Sequence, residues 1–417
     1  MKRFAIPMSL VMLLLLFSVV RPSLATEPAM VDYTHYPIFQ VNAVQPNILI
    51  ILDNSGSMNV QAYTAAYEPT TRYFGYFEPQ GKYSYSSNLF VRDDTSGQWD
   101  GNFLNWLTMR RIDVARKVLM GGLATSRQGT GAQINIGETP DQSGHDFTKT
   151  YNGAENVSPY TSATYDYYVH DGYFDVVNTS SGATVSTFTI KVQKDENAYP
   201  DEAPEFVDGN IAGVLQKVGS KARWGNEFYN YGTGSGGSGG YISNTIGTNM
   251  SSLITDLQNT HCNTWTPLAE AYYVATQYFK QQDVQSGLDY PNNAVPDDNA
   301  GQDPYYNGTE YVECAKSFVI LITDGTSTMD QMIPDFLKNY DGDTHETDRT
   351  YPDSGSDYLD DIALYARTND LRSDLSGDQN LYLYAIYADF GSPDSTAENL
   401  LKDSAINGGF EDRNGNN

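Results

Sequence analysis

Asn47-Ile48-Leu49-Ile50-Ile51-Leu52-Asp53-Asn54-Ser55-Gly56-Ser57 is the stretch on which the reading of this chain turns. Its apolar, β-branched run does not alternate, which suits a central strand covered on both faces. The run stops at Asp53, and in an open α/β sheet the carboxyl ends of the strands form the crevice where ligands bind. Asp53, Ser55 and Ser57 are spaced two apart in a turn that Gly56 permits, so one carboxylate and two hydroxyls can face one centre. These are hard oxygen donors, suited to Mg²⁺ first and also to Ca²⁺ or Mn²⁺. Taken alone, the same five residues also make an ordinary turn.

Further along, a second apolar run, Phe318 to Thr323, stops at Asp324 in the same way, and Leu381 to Tyr387 has the same character. Between them lie helical periods. Phe103 to Leu119 carries one apolar face and ends at Gly121-Gly122, Thr266-Pro267 opens a helix to about Phe279, and Tyr358 to Leu371 forms a third. Strands alternating with helices predict an α/β fold: a doubly wound, mostly parallel sheet with helices on both faces. If the first two strands are neighbours, Asp53, Ser55, Ser57, Thr266 and Asp324 converge on one crevice.

Two stretches break this rhythm and read as insertions. Residues 59–102 are rich in Tyr, Phe, Gly and Ser; residues 126–219 carry short alternating patterns, Tyr165 to Val177 and Thr187 to Val192, that predict a small β subdomain. Gly232 to Gly240 reads as a flexible loop between a strand at Arg223–Tyr229 and another near Tyr241–Ile246. The first insertion leaves the sheet beside the presumed metal. Its aromatics, Tyr73, Phe74, Tyr76 and Phe77 first, are therefore expected to form a partner surface, with a private core as the open alternative.

The chain has 417 residues, two or three domain-sized units at most, with 40% hydrophobic and 18% charged residues. Its formal charge is −27. A field of that sign repels phosphate backbones and excludes non-specific nucleic-acid binding, while it attracts divalent cations and basic surfaces. Residues 1–25 read as a signal peptide: Lys2 and Arg3, an apolar run from Leu10 to Val20, and a small-residue cleavage site at Ser23-Leu24-Ala25. Residues 26–45 read as a lead-in, and no later segment reaches transmembrane length. Lys2, Arg3 and Arg21 leave with the leader, so 22 basic against 52 acidic residues gives −30 for the exported protein. In an oxidising compartment Cys262 and Cys314 are expected to pair, with two unpaired thiols as the alternative. Asp341, Asp343 and Asp348 suggest a second calcium loop, against a plain solvated acidic loop. Residues 411–417 look like the start of a calcium loop without its closing acid.

An apolar strand followed by D-x-S-x-S, then a Thr-Pro-Leu helix start, then an apolar strand ending in T-D-G, resembles the von Willebrand factor A domain. The resemblance implies a six-stranded, mostly parallel sheet across residues 46–410. It also implies a metal-ion-dependent adhesion site at Asp53, Ser55, Ser57, Thr266 and Asp324. Gly101 to Trp106, Arg111 to Leu119, Cys314 to Asp330 and Gly355 to Asp361 are further similar to the PilC/PilY family of type IV pilus tip-associated proteins. That resemblance implies an exported adhesion or assembly module at the periplasm, outer surface or pilus tip. Its expected partners are minor pilins or a surface ligand offering a carboxylate. Family members usually continue into a C-terminal β-propeller, so the resemblance implies either a separate propeller chain as a further partner or a sequence that is a short member or fragment. A periplasmic assembly factor without adhesive role is the alternative. A metal-dependent hydrolase is the remote one, since no nucleophile and base pair is legible beside the ion and the chain reads as a non-enzyme.

Overall fold

The computed structural model describes residues 44–127, 132–194, 211–230, 238–288, 290, 301–344, 349–388 and 394–409. The expected signal peptide, most of the lead-in, the tail 411–417 and Asp348 lie outside the described residues. From Gln45 onward the described residues belong to one compact unit.

The chain starts with β1 (Asn47–Leu52) and a short 3-10 turn at Gly56–Asn59. The first insertion supplies β2 (Lys82–Ser86), β3 (Leu89–Arg92) and β4 (Trp99–Asp100). Helices α1 (Gly101–Thr108) and α2 (Arg111–Met120) follow. The second insertion holds β5 (Ala124–Ser126), β6 (Ile134–Ile136), β7 (Phe147–Tyr151), β8 (Tyr165–His170), β9 (Tyr173–Asn178), β10 (Ala183–Thr189) and β11 (Lys191–Gln193). Then come α3 (Val214–Val218), β12 (Arg223–Tyr229), β13 (Gly240–Asn244), α4 (Met250–Asn259) and α5 (Leu268–Lys280). β14 (Ser317–Thr323), α6 (Leu359–Thr368), β15 (Leu381–Tyr387) and α7 (Ser395–Asn407) complete the order.

The main sheet runs β13-β12-β1-β14-β15. β12, β1, β14 and β15 pair in parallel, and β13 joins antiparallel at one edge. Among the described residues this sheet has five strands, where the family resemblance implied six. The pleat splits β1 between two cores. Leu49 and Ile51 pack with Val319, Leu321, α5, α6 and α7, while Ile50 and Leu52 pack with α2, α3 and α4. That double coverage explains why the strand is apolar at consecutive positions.

The helix expected from Phe103 to Leu119 is two helices. Met109 adopts an extended backbone, its carbonyl accepts from Ala62 N at 2.9 Å, and Arg111 N donates to Val60 O at 3.1 Å. The chain there pairs with the segment leaving the Asp53–Ser57 turn, which competes with the helical period.

The two insertions also differ from expectation. They share one six-stranded sheet, β4-β2-β3-β11-β6-β5, in which β3 and β11 are parallel neighbours. A separate four-stranded antiparallel sheet, β10-β9-β8-β7, packs its aromatics into the same core. Tyr73, Tyr76 and Phe77 are only 5%, 2% and 1% exposed in that core, so three of the four proposed contact residues are not surface residues; Phe74 is 41% exposed. The segment is held down by α1. Asn102 Oδ1 accepts from Tyr73 N, and Asn105 both accepts from Phe77 N and donates to the carbonyls of Tyr73 and Phe77. Gly75 permits this clamp, because a Cβ there would lie 2.4 Å from Asn105 Oδ1.

The expected Cys262–Cys314 bond is also corrected: both thiols are free, Cys262 buried and Cys314 exposed. Asn263 N donates to Asn54 O, which puts Cys262 at the carboxyl end of β1. Cys314 precedes Ser317, which is paired with Asn47 at the amino end. Six residues of strand separate those ends by roughly 20 Å, against a limit of about 7 Å between Cα atoms for a disulfide.

Candidate metal centre

Register places the site. Asn47 pairs with Ser317 and Leu52 with Ile322, so Asp53 and Thr323-Asp324 leave the sheet together at its carboxyl edge. Asp53 N donates to Ile322 O, and Thr323 Oγ1 donates to Asp53 Oδ2 at 2.6 Å. Asp53 Oδ1 accepts from Ser55 N at 2.7 Å, which curls the turn back on itself. Ser55 and Ser57 hydroxyls then share a hydrogen bond of 2.9 Å, and Ser57 Oγ donates to Asp324 Oδ1 at 2.8 Å. Four of the five expected ligands are therefore joined in one connected group.

Thr266 is brought alongside by backbone. Thr264 bridges Ser55 in parallel and accepts from Gly56 N at 3.0 Å. Thr266 N donates to Thr328 Oγ1, and Thr328 N donates to Thr266 O. The residue is thus fixed between the Asp53 turn and the loop after Asp324, two positions before α5.

Burial pushes the Asp53 carboxyl up to about 7, and the nearby charge of Asp324 adds to the effect. Two carboxylates and two hydroxyls, with the acids buried and close enough to repel, make a donor set that fits a hard divalent cation. When bound, such an ion supplies positive charge and a coordination position for an incoming oxygen ligand.

Several residues here were not singled out from sequence. Arg111, the first residue of α2, donates from Nη1 to Asp324 Oδ2 at 2.8 Å. Thr323 anchors Asp53. Asp330, fully buried, accepts from Ala269 N and Glu270 N at the start of α5 and from Ser327 Oγ. It satisfies donors that a helix start leaves unpaired and so fixes the entry that carries Thr266. The spacing Ser327-x-x-Asp330 resembles a capping signal, but it serves a helix elsewhere in the chain. The second insertion reaches the rim as well: Gln142 Nε2 donates to Asn263 O at 3.0 Å. A Cβ on Gly56 would lie 3.3 Å from His145 Nε2. Trp265 is 37% exposed beside Thr266.

The second acidic group is partly assembled. Asp341 and Asp343 lie with Asp360 of α6, their carboxylate oxygens within 4.8 Å of one another. Asp360 is buried, and burial with the charges of Asp361 and Asp341 pushes its carboxyl up to about 9. Sequence reading missed Asp360 because it lies inside a helix, far from the loop.

Residues 64–201 match the family model described as "PilY1 homolog, small alpha/beta domain". Residues 184–368 match "PilY1 homolog, second domain". The chain is similar to PilY1 homologues along most of its length. It is 24% identical to the type IV pilus biogenesis factor PilY1 of Pseudomonas aeruginosa (strain PAK), over 91% of this chain and 32% of that protein. It is 32% identical to the PilY1 homolog of Xylella fastidiosa (strain Temecula1 / ATCC 700964), over 24% of this chain and 7% of that protein. The chain thus spans about a third or less of the relatives it matches. No solved structure matches. Among the described residues, no helix is long and apolar enough to cross a membrane.

Proposed function

We propose that this chain is an exported, non-enzymatic module of a type IV pilus, built on a von Willebrand factor A-like sheet. It binds a protein partner or surface ligand through a divalent cation, Mg²⁺ first, held by Asp53, Ser55, Ser57, Thr266 and Asp324. The observation that carries this reading is the hydrogen-bonded run Ser55–Ser57–Asp324 beside buried Asp53 at the carboxyl edge of the sheet. An oxygen ligand from the partner, a carboxylate above all, completes the coordination of a cation that two acids only just neutralise. Calorimetric titration with Mg²⁺, Mn²⁺ and Ca²⁺ tests it: one site is expected in the wild type and none in Asp53→Ala. Unchanged affinity in that variant ends the reading.

The printed names of the relatives favour a second emphasis, since both are biogenesis factors. In that form the same site binds pilin-like subunits during assembly and has no adhesive role. Immunogold labelling of sheared pili and of cell sections separates the two: label at the pilus tip supports adhesion, and label confined to the periplasm of the sections supports assembly.

A further inference from the structure

We infer that Arg111 is an internal competitor for the divalent cation, so that its guanidinium charge sets how tightly the metal centre holds the ion. This rests on the metal-centre reading above and concerns its regulation.

Asp324 spends one oxygen on Ser57 and the other on Arg111, each at 2.8 Å. Its side chain is fully buried and that of Arg111 is 15% exposed, so the pair is largely withdrawn from water. In such surroundings a like charge a few ångströms from a divalent ion is weakly screened. An ion drawing on Asp324 must push the guanidinium aside or share the carboxylate with it, and both outcomes weaken binding.

The guanidinium is also held near the site by its backbone. Arg111 N donates to Val60 O, directly after the metal turn, and Arg110 reaches from Nη1 to the carbonyls of Asn59 and His145. Loading of the ion is thereby coupled to a movement of the Arg111 side chain at the start of α2.

A purely structural ion pair would behave differently. Its removal would destabilise the protein equally with or without an ion. A competitor's removal should destabilise only when no ion is supplied, because the ion then takes over the missing charge.

The test is calorimetric titration of the full chain with Mg²⁺, together with thermal unfolding in chelator and in excess Mg²⁺, for wild type, Arg111→Gln, Arg111→Lys and Asp53→Ala. Arg111→Gln is expected to bind Mg²⁺ about tenfold more tightly. It should unfold earlier than wild type in chelator and recover in Mg²⁺. Arg111→Lys retains the charge and should stay within about threefold of wild type. Unchanged or weaker affinity in Arg111→Gln overturns the inference and leaves the metal centre standing. Tightening in Arg111→Lys equal to that in Arg111→Gln overturns it too, since charge would not be the cause. Failure of Arg111→Gln to fold with Mg²⁺ present does the same. If instead wild type and Asp53→Ala bind alike, the metal-centre reading fails, and the role of Arg111 falls with it.

Discussion

The sheet that carries the candidate metal centre and the insertions beside it use the same residue types in different ways. Around β1 and β14 the apolar buried strand positions are aliphatic, polar Asn47 and Ser317 are buried together at the amino end, and further polar groups gather at the carboxyl edge, bonded to one another. In the insertions the core is mostly aromatic. Phe90 alone has Phe77, Tyr85, Trp99, Phe174 and Phe188 around it with ring centroids within 6.3 Å. Among the polar groups there, Asn102 and Asn105 pin residues 71–77. Clustered aromatics beside a ligand site are therefore not by themselves a contact surface; tyrosine can be the core material of a small β unit.

The largest expected effect probes that contrast in the insertion core. Phe90→Ala should cost about 3–5 kcal/mol in denaturant unfolding. If the two regions are as distinct as their cores, Mg²⁺ affinity of the folded variant stays at the wild-type value.

A smaller effect concerns charge. Lys149 is buried and donates to the carbonyls of Tyr63 and Trp106, and burial pushes its ammonium down to about 7. In the unfolded chain the same group holds its proton to about 10.5. Between those values the unfolded state binds more protons, so this residue makes stability rise with pH above about 7. Unfolding measured from pH 7 to 9 should show that slope in wild type and a flatter one in Lys149→Met. An unchanged slope would mean that Lys149 keeps its proton in the folded protein across that range.

The cysteines separate the regions by reactivity. A maleimide should label Cys314 in the native protein and Cys262 only on unfolding, because in the folded protein burial hides the Cys262 thiol and holds it well above the usual range. Recovery of linked Cys262 and Cys314 peptides from the unreduced protein would refute the strand arrangement around them.

The smallest effect is at Phe74, the exposed member of its aromatic group. Phe74→Ala should change stability by no more than about 0.5 kcal/mol. Weakened partner binding with that stability would keep a contact role for this one residue. Equal binding would end the role of the insertion as a partner surface.

Much of the sheet was legible in the sequence. β12 and β15 lie where the apolar patterns put them, and β1 and β14 end at Asp53 and Asp324 as expected. Asp53, Ser55, Ser57 and Asp324 were legible as a group because strand ends mark the carboxyl edge, and local spacing fixes which side chains share a turn. Arg111, Thr323 and Asp330 were not, because each acts on residues distant in the chain. Nothing in a basic residue at a helix start says which acid it will meet.

By itself, then, the sequence determined the strands, their apolar coverage and the donor chemistry at their ends, since these follow from period and composition within short windows. Only the tertiary structure decided three other matters. Pairing of Met109–Arg111 with Val60–Ala62 broke one expected helix into two. Parallel register sent Cys262 and Cys314 to opposite ends of the sheet. Shared strands fused two insertions into one aromatic core that buried Tyr73, Tyr76 and Phe77. Each outcome depends on which segments become neighbours, and that is set by the joint packing of the whole chain.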